Sequence, residues 1–287
     1  MNEMLTVATW NVNAIRGAGA DRITRVADAL ARHAPDVVVL QEVATRTQVV
    51  EQLRDELLRV GLSHFLFSGS DIPRETKYGD KAYGNVLASR WPFEAHPWPV
   101  VAEWPQLTVA ARMTEQFVGL LIVGTHIPNG TGNGWEKVYA FETLVHGLEA
   151  AERPVILAGD FNEPRLFDPT FTSFGATDRG GLRGTFTDLN GVTHDRERWQ
   201  RAVAAVLDPA RTAWGGRHVT TLASVEFEAT HIARGIYGKQ FDHILVSDDD
   251  FRVERVLYDH SVREGTPRLS DHSMVVVALE PRFSAAG

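Results

Sequence analysis

Several side chains in this sequence carry the oxygen atoms that a hard divalent cation prefers. Glu42, Asp160 and Asp271 are carboxylates, and Asn11 and Asn162 add neutral amide oxygens. The chain contains no cysteine, which excludes a thiolate metal site and a cysteine nucleophile. Carboxylate and amide ligands favour Mg²⁺ or Mn²⁺ over zinc. These residue types therefore predict a metal-assisted reaction in which titratable side chains move protons.

The apolar runs beside these residues have the β-branched content of buried strands. The predicted strands cover residues 5–10, 36–41, 86–89, 117–125, 154–158, 241–247, 251–258 and 274–279. The polar residues that follow or precede them are Asn11, Asn13, Glu42, His126, Asn129, Asp160, Asn162, Asp242, Asp271 and His272. Because strand ends are where a rigid scaffold presents catalytic groups, these positions are the candidate site.

Apolar residues at helical spacing predict helices over residues 22–33, 47–60 and 135–151. Pro35 ends the first helix, and Gly61 is a C-terminal stop for the second. Residues 68–83 are polar and read as a loop, and residues 179–234 form a long, poorly periodic region. We find no linker or repeat, which favours one domain over residues 1–287 with a two-sheet α/β architecture.

The chain has 29 Lys and Arg against 37 Asp and Glu, a formal net charge of −8. This balance argues against a generic basic nucleic-acid coat, because phosphate binding by protein charge alone needs clustered Lys and Arg. It leaves a nuclease open, since a bound cation reverses the local charge. No apolar run reaches the length of a membrane span, and residues 1–7 lack the pattern of a signal peptide. We therefore expect a cytoplasmic protein without a membrane span.

Seven short blocks resemble the successive blocks of the endonuclease/exonuclease/phosphatase superfamily. They are T-W-N-V-N-A-I-R-G (9–17), L-Q-E (40–42), G-N-V-L-A-S-R (84–90), T-H-I-P-N-G (125–130), G-D-F-N (159–162), F-D-H-I-L-V-S (241–247) and S-D-H-S (270–273). One such block is a weak signal, whereas seven in the family's order are strong. The resemblance implies an α/β fold, a four-layer sandwich of two mostly antiparallel β-sheets flanked by helices.

The resemblance also implies which residues bind the metal and the substrate. Glu42 is then the principal ligand of Mg²⁺ or Mn²⁺, Asn11 assists it, and Asp271 lies near the metal. Asn13 and Asn129 are candidate substrate-binding residues.

The catalytic roles that the resemblance implies fall on five further residues. Asp160 orients and deprotonates the attacking water, and Asn162 holds that water or the phosphate. His272 contacts the scissile phosphate, and Asp242 fixes its tautomer through a hydrogen bond. His126 stabilises or protonates the leaving oxygen.

The blocks leave the substrate open, because every phosphoester needs the same in-line attack at phosphorus. The T-H block is similar to the deoxyribonuclease I, sphingomyelinase and inositol-phosphatase branches, whereas residues 9–17 are closer to exonuclease III. The first hypothesis is a phosphodiesterase that cleaves nucleic acid. The alternative is the same chemistry on a phospholipid, an inositol phosphate or another small phosphoester. A catalytically inactive binding scaffold is a third hypothesis, but none of the catalytic residues is missing. No obligate protein partner is inferred.

Overall fold

The computed structural model describes residues 4–13, 20–69, 83–99, 104–164, 186–187, 193–194, 196–208, 212–219, 228–233 and 237–283. Most of the predicted loop at 68–83 and parts of the 179–234 region lie outside these residues.

The strands are short and are distributed along the whole described chain. They are β1 (Leu5–Asn11), β2 (Val37–Ala44), β3 (His64–Phe67), β4 (Tyr83–Ser89), β5 (Phe93–Ala95), β6 (Thr108–Met113), β7 (Leu121–His126), β8 (Val155–Asp160), β9 (Phe186–Thr187), β10 (Thr193–His194), β11 (Gly216–His218), β12 (His231–Ala233), β13 (Tyr237–Lys239), β14 (Asp242–Ser247), β15 (Phe251–Asp259) and β16 (Met274–Pro281). The helices are α1 (Ala20–Ala31), α2 (Thr47–Arg59), α3 (Gly130–Ala150), α4 (Arg196–Leu207) and α5 (Ser261–Glu264).

Two six-stranded sheets organise the molecule. The first has the order β15-β16-β1-β2-β4-β3, and the second has the order β11-β14-β8-β7-β6-β5. Each contains one parallel pair at its centre, β1 with β2 and β7 with β8, and its other neighbours are antiparallel. The predicted pair of mostly antiparallel sheets is confirmed. The carboxyl ends of each parallel pair lie at one edge of their sheet, which brings the residues that follow them together.

The central strands are apolar on both faces because both faces are covered. Successive side chains of a strand point to opposite sides. Val37 and Val39 pack in the core between the two sheets, whereas Val38 and Leu40 pack in the core under α1 and α2. A third core lies between the second sheet and helices α3 and α4. The resulting order of helices, sheet, sheet and helices is the predicted four-layer sandwich.

Helix α2 ends where the sequence predicts. Gly61 has a φ of +91°, in the left-handed region that only glycine adopts without strain. Among the described residues, no helix is both long and apolar enough to cross a membrane.

The prediction that residues 179–234 lack regular structure is wrong at residues 196–207, which form α4. Trp199, Val203 and Val206 are buried in the third core at helical spacing. The helical spacing extends over only these few residues, and the glycine-rich sequence on either side favours an irregular region.

The prediction of a strand over residues 117–125 is wrong in its first part. The chain turns around Phe117 and Gly119, which have φ values of +56° and +84°, and β7 begins at Leu121. Strands β3, β5 and β6 were not predicted, and α3 begins at Gly130 rather than at residue 135.

Candidate active site

The predicted site residues lie at the edge where strands of both sheets end. Asp160 closes β8, and it stands in register with His126 at the end of β7 and with Asp242 at the start of β14. Asn11 closes β1, and its neighbour in register on β2 is Gln41. The topology therefore gathers polar groups from distant parts of the chain.

A bulge in β2 places Glu42 at this edge. The pairing of β2 with β4 shifts register between Leu40 and Val43, and Glu42 within the shift has a φ of +57°. A left-handed conformation at a non-glycine residue costs about 1–3 kcal/mol, and such strain persists only where the surrounding fold imposes it. The Glu42 side chain is 22% exposed, and its Oε1 lies 3.4 Å from Asn11 Nδ2. Bulges are common beside active sites because they redirect one side chain.

Asp160 is buried at the centre of the site. Its Oδ2 accepts a hydrogen bond from Asn11 Nδ2 at 2.8 Å, and its Oδ1 accepts one from the backbone N–H of Asn162 at 2.8 Å. Burial raises the pKa of Asp160, but the charges of His272 and His126 and these two hydrogen bonds outweigh it and leave the pKa lowered. Asp160 is therefore an ionised carboxylate that can accept a proton.

His126 lies between the carboxylates. Its Nε2 is 3.7 Å from Asp160 Oδ2, 3.9 Å from Glu42 Oε1 and 3.4 Å from the amide nitrogen of Asn162. Asn162 has a φ of +49°, and its amide nitrogen donates to the carbonyl of Ile127 at 3.0 Å. Both side chains are thereby held beside Asp160.

His272 forms the opposite wall of the site. Its Nδ1 lies 2.8 Å from Asp242 Oδ2, and its Nε2 lies 3.8 Å from Asp160 Oδ2. Burial lowers the pKa of His272, but the carboxylates of Asp242 and Asp160 outweigh burial and raise the pKa to about 10. The ring is therefore positively charged at neutral pH, and its Nε2–H can donate to an anion.

Asp271 lies at the more open side of the site, next to Asn13. Asp271 Oδ1 accepts a hydrogen bond from Asn13 Nδ2 at 2.7 Å, and Asp271 Oδ2 lies 3.7 Å from His231 Nε2. Burial raises the pKa of Asp271, but the neighbouring His231 and the charge of His272 leave that pKa lowered. The last predicted residue, Asn129, is exposed immediately before α3.

Sequence reasoning missed His231, which lies in β12. Its backbone forms an antiparallel bridge with His272, and the two ring centroids are 4.6 Å apart. Its other face stacks on Phe241 with centroids 5.5 Å apart. The residues around His231 show no clear periodicity, so no sequence signal pointed to it.

A buried polar network, also missed, supports the segment after Asp160. Lys137 in α3 is fully buried, and its Nζ donates to the carbonyl of Asn162 at 2.8 Å and to the carboxylate of Glu163. The carbonyl of Glu163 lies 2.8 Å from His243 Nε2, and His243 Nδ1 lies 3.0 Å from His218 Nε2. The attraction within a buried ion pair does little more than offset the free energy lost when the two charges leave water. We therefore interpret this network as holding the backbone of Asn162 and Glu163 in place.

The donors at the bulge fit a hard divalent cation. Glu42 supplies a partly exposed carboxylate, and the amide nitrogen of Asn11 reaches both Glu42 Oε1 at 3.4 Å and Asp160 Oδ2 at 2.8 Å, so two carboxylates lie on either side of Asn11. Carboxylate with water and phosphate is the usual environment of Mg²⁺.

A sequence model of the Endonuclease/Exonuclease/phosphatase family matches residues 8–272. The residues above therefore lie within the matched region. A search of curated protein sequences finds no match.

Solved structures of similar fold cover nearly the whole chain. An AP endonuclease from Archaeoglobus fulgidus superposes with a TM-score of 0.68 at 20% identity, covering 95% of this chain and 98% of that one. The 3′ phosphatase NExo from Neisseria, bound to a product DNA hairpin, gives 0.64 at 21% identity, with coverage of 95% and 98%. A humanized TDP2 from D. rerio gives 0.64 at 17% identity, with coverage of 96% and 98%. At these identities the similarity establishes the fold alone.

Proposed function

Since the chain belongs to the endonuclease/exonuclease/phosphatase family, we propose that it is a divalent-metal-dependent phosphodiesterase that cleaves nucleic acid by attack of water at phosphorus. The observation that carries this proposal is the ionised Asp160 between two histidines, with His126 Nε2 at 3.7 Å and His272 Nε2 at 3.8 Å from its Oδ2. A carboxylate base and two imidazoles thus surround one point, an arrangement that suits attack of water at phosphorus.

Glu42 and Asn11 hold the cation in this proposal, with Asp271 nearby. The bound Mg²⁺ or Mn²⁺ supplies Lewis-acid polarisation of a phosphoryl oxygen. The bulge that strains the Glu42 backbone supports this assignment, because it turns the carboxylate toward Asn11.

Asp160 accepts the proton of the attacking water. Its two oxygens are fixed by Asn11 and by the backbone of Asn162, so the carboxylate is oriented before substrate arrives. The Asn162 side chain then holds the water or a phosphate oxygen.

The two histidines complete the reaction. His272, charged and held by Asp242, donates from Nε2 to a non-bridging oxygen of the phosphate and stabilises the negative charge that builds there. His126 stabilises or protonates the leaving oxygen. Asn13 and Asn129, at the exposed rim, are proposed to contact the substrate outside the scissile group.

Nucleic acid is the substrate we favour, and one structural neighbour, the 3′ phosphatase NExo, is bound to product DNA. The alternative, a phospholipid, an inositol phosphate or another small phosphoester, uses the same residues.

We further propose that residues 1–287 act as one domain, and a cytoplasmic location remains a prediction.

Incubation of supercoiled plasmid with the purified protein tests the substrate assignment. We expect nicking with Mg²⁺ or Mn²⁺ and none with EDTA. The same assay is run in parallel on four other substrates: single-stranded DNA, RNA, phosphatidylinositol vesicles and bis(p-nitrophenyl) phosphate. Turnover of lipid or of the small diester without cleavage of any nucleic acid would contradict the nuclease assignment and leave the hydrolase assignment standing.

A further inference from the structure

His231, Asp271 and His272 form a cluster of potential metal ligands. The proposed reaction gives His231 no role. One ligand atom from each of His231, Asp271 and His272 lies within 4.8 Å of the others. Ligand atoms around a tetrahedral zinc ion stand about 3.5 Å apart at bond lengths of ~2.0–2.2 Å. Small side-chain rotations therefore bring this set to coordination distance.

The available ring atoms suit coordination. His272 Nδ1 is held by Asp242 at 2.8 Å, so Nε2 is the atom left to bind a cation, and the proton on Nε2 is released to solvent when the cation binds. His231 Nε2 already faces Asp271 Oδ2 at 3.7 Å. A metal-binding histidine usually has a carboxylate on its other nitrogen, which orients the ring, and Asp242 supplies one to His272.

Neighbouring residues hold His231 in position but leave the cluster open to solvent. His231 is bridged to His272 through the backbone and stacks on Phe241, so its ring position is set on two sides. Asp271 is anchored by Asn13 at 2.7 Å. The side chains of His231 and Asp271 remain 19% and 34% exposed, so a cation can enter from solution.

Two imidazoles and one carboxylate are softer ligands than the oxygens around Glu42. This combination favours zinc and other transition-metal dications and gives Mg²⁺ little advantage. We propose that His231, Asp271 and His272 form a second cation site that binds Zn²⁺ or a similar dication, beside the Mg²⁺ or Mn²⁺ position at Glu42, with Asp271 between the two.

Occupation of this site has a consequence for the reaction. A dication on His272 Nε2 removes the donor that contacts the phosphate, so Zn²⁺ inhibits hydrolysis supported by Mg²⁺. This consequence, unlike the site itself, rests on the proposed function.

Co²⁺ titration of the protein tests the site directly. Metal-free protein without a polyhistidine tag is titrated with Co²⁺ in excess Mg²⁺, and the visible absorption of coordinated Co²⁺ is recorded, with Zn²⁺ displacement as the second measurement. We expect one saturable Co²⁺ signal in the wild type. His231→Phe keeps an aromatic ring beside Phe241 and His272 but removes both nitrogens, and it should weaken binding at least about tenfold. His33→Phe is the matched control, because His33 is a partly exposed histidine 2.8 Å from Asp259.

Unchanged Co²⁺ and Zn²⁺ binding in His231→Phe, or no saturable signal in the wild type, would overturn the site. Glu42→Gln separates this outcome from failure of the proposed function. The site predicts a retained Co²⁺ signal in Glu42→Gln, whereas the proposed function predicts that this variant loses Mg²⁺-dependent hydrolysis.

Discussion

Among single residues, Asp242 acts through one neighbour, His272. It is fully buried, and its Oδ2 holds His272 Nδ1 at 2.8 Å. The carboxylate both orients the ring and supports its positive charge.

We predict that Asp242→Asn lowers kcat about 10²-fold, because the amide keeps the shape of the carboxylate but loses its charge. Steady-state kinetics with saturating Mg²⁺ measure this effect, and circular dichroism checks that the variant is folded. A folded Asp242→Asn enzyme with wild-type kcat would show that His272 does not need its carboxylate.

The types of the site residues and their positions at strand ends could be predicted from the sequence. The backbone conformations that orient these side chains could not be predicted. Glu42 has a φ of +57°, which a glutamate does not predict. Asn162 has a φ of +49°, and although asparagine is enriched in this region, the residue type alone does not single out this position. His231 was missed because its proximity to His272 arises from a tertiary bridge between two distant segments.

At the scale of elements, α3 is connected to the end of β8 by charge as well as by apolar packing. Lys137 reaches from the helix to the carbonyl of Asn162 and to Glu163, and both charged side chains are fully buried. Removing only one partner leaves a buried charge without compensation.

We predict that Lys137→Met lowers the free energy of unfolding by ~3–5 kcal/mol. Lys137→Met combined with Glu163→Gln should be more stable than the single variant, because it buries no isolated charge. Urea unfolding followed by circular dichroism measures both. Equal stability of the single and double variants would argue against the ion pair.

The double variant also separates stability from positioning. If Lys137 fixes the backbone of Asn162, the folded double variant should have a lower kcat than the wild type. Wild-type kcat in the folded double variant would mean that the network supports only the fold.

Elements with a regular apolar pattern were predictable, and elements without one, among them the edge strands β3 and β5, were not. The strands that become β1, β2 and β8 are buried on both faces, and their sequences are mostly apolar or β-branched. Strand β5 has only three residues, two of them exposed, so it carries no such pattern. Helix α4 was missed because its buried face is confined to a few residues in an irregular region.

At the scale of the whole molecule, one largely buried carboxylate connects the residues that follow α1 to the first sheet. Asp259 at the end of β15 lies 2.8 Å from His33 Nε2 and accepts hydrogen bonds from Ser261 and Arg32. Burial raises the pKa of Asp259, but the bond with His33 and those from Ser261 and Arg32 outweigh it and lower the pKa to about 2.

The sign of the pH effect follows from this depressed pKa. The unfolded chain titrates this carboxylate near pH ~3.9, so its contribution to stability is complete above that pH and is lost as pH falls toward 2. We predict that Asp259→Asn costs on the order of 1 kcal/mol at neutral pH, allowing for solvent screening of a partly exposed group. Urea unfolding across this range should show the difference from wild type shrinking below about pH 4. A difference that stays constant with pH would contradict the assignment.

The fold of the whole chain was the most predictable feature. Seven blocks in one order constrain the topology more strongly than any single element, and the family match over residues 8–272 agrees with them. The net charge of −8 argued against a generic basic nucleic-acid coat but did not identify the substrate, because a site that binds a cation can meet phosphate on an acidic protein.

The central claim is that the ionised Asp160 is the base of a metal-dependent hydrolysis. The most direct test compares Mg²⁺-dependent phosphodiester cleavage by the wild type, by Asp160→Asn and by Asp55→Asn, a control at an exposed carboxylate on α2. We predict a loss on the order of 10²–10⁴-fold in Asp160→Asn, wild-type rates in Asp55→Asn, and no cleavage by any of the three with EDTA. Metal-dependent cleavage at the wild-type rate by a folded Asp160→Asn protein would contradict the claim.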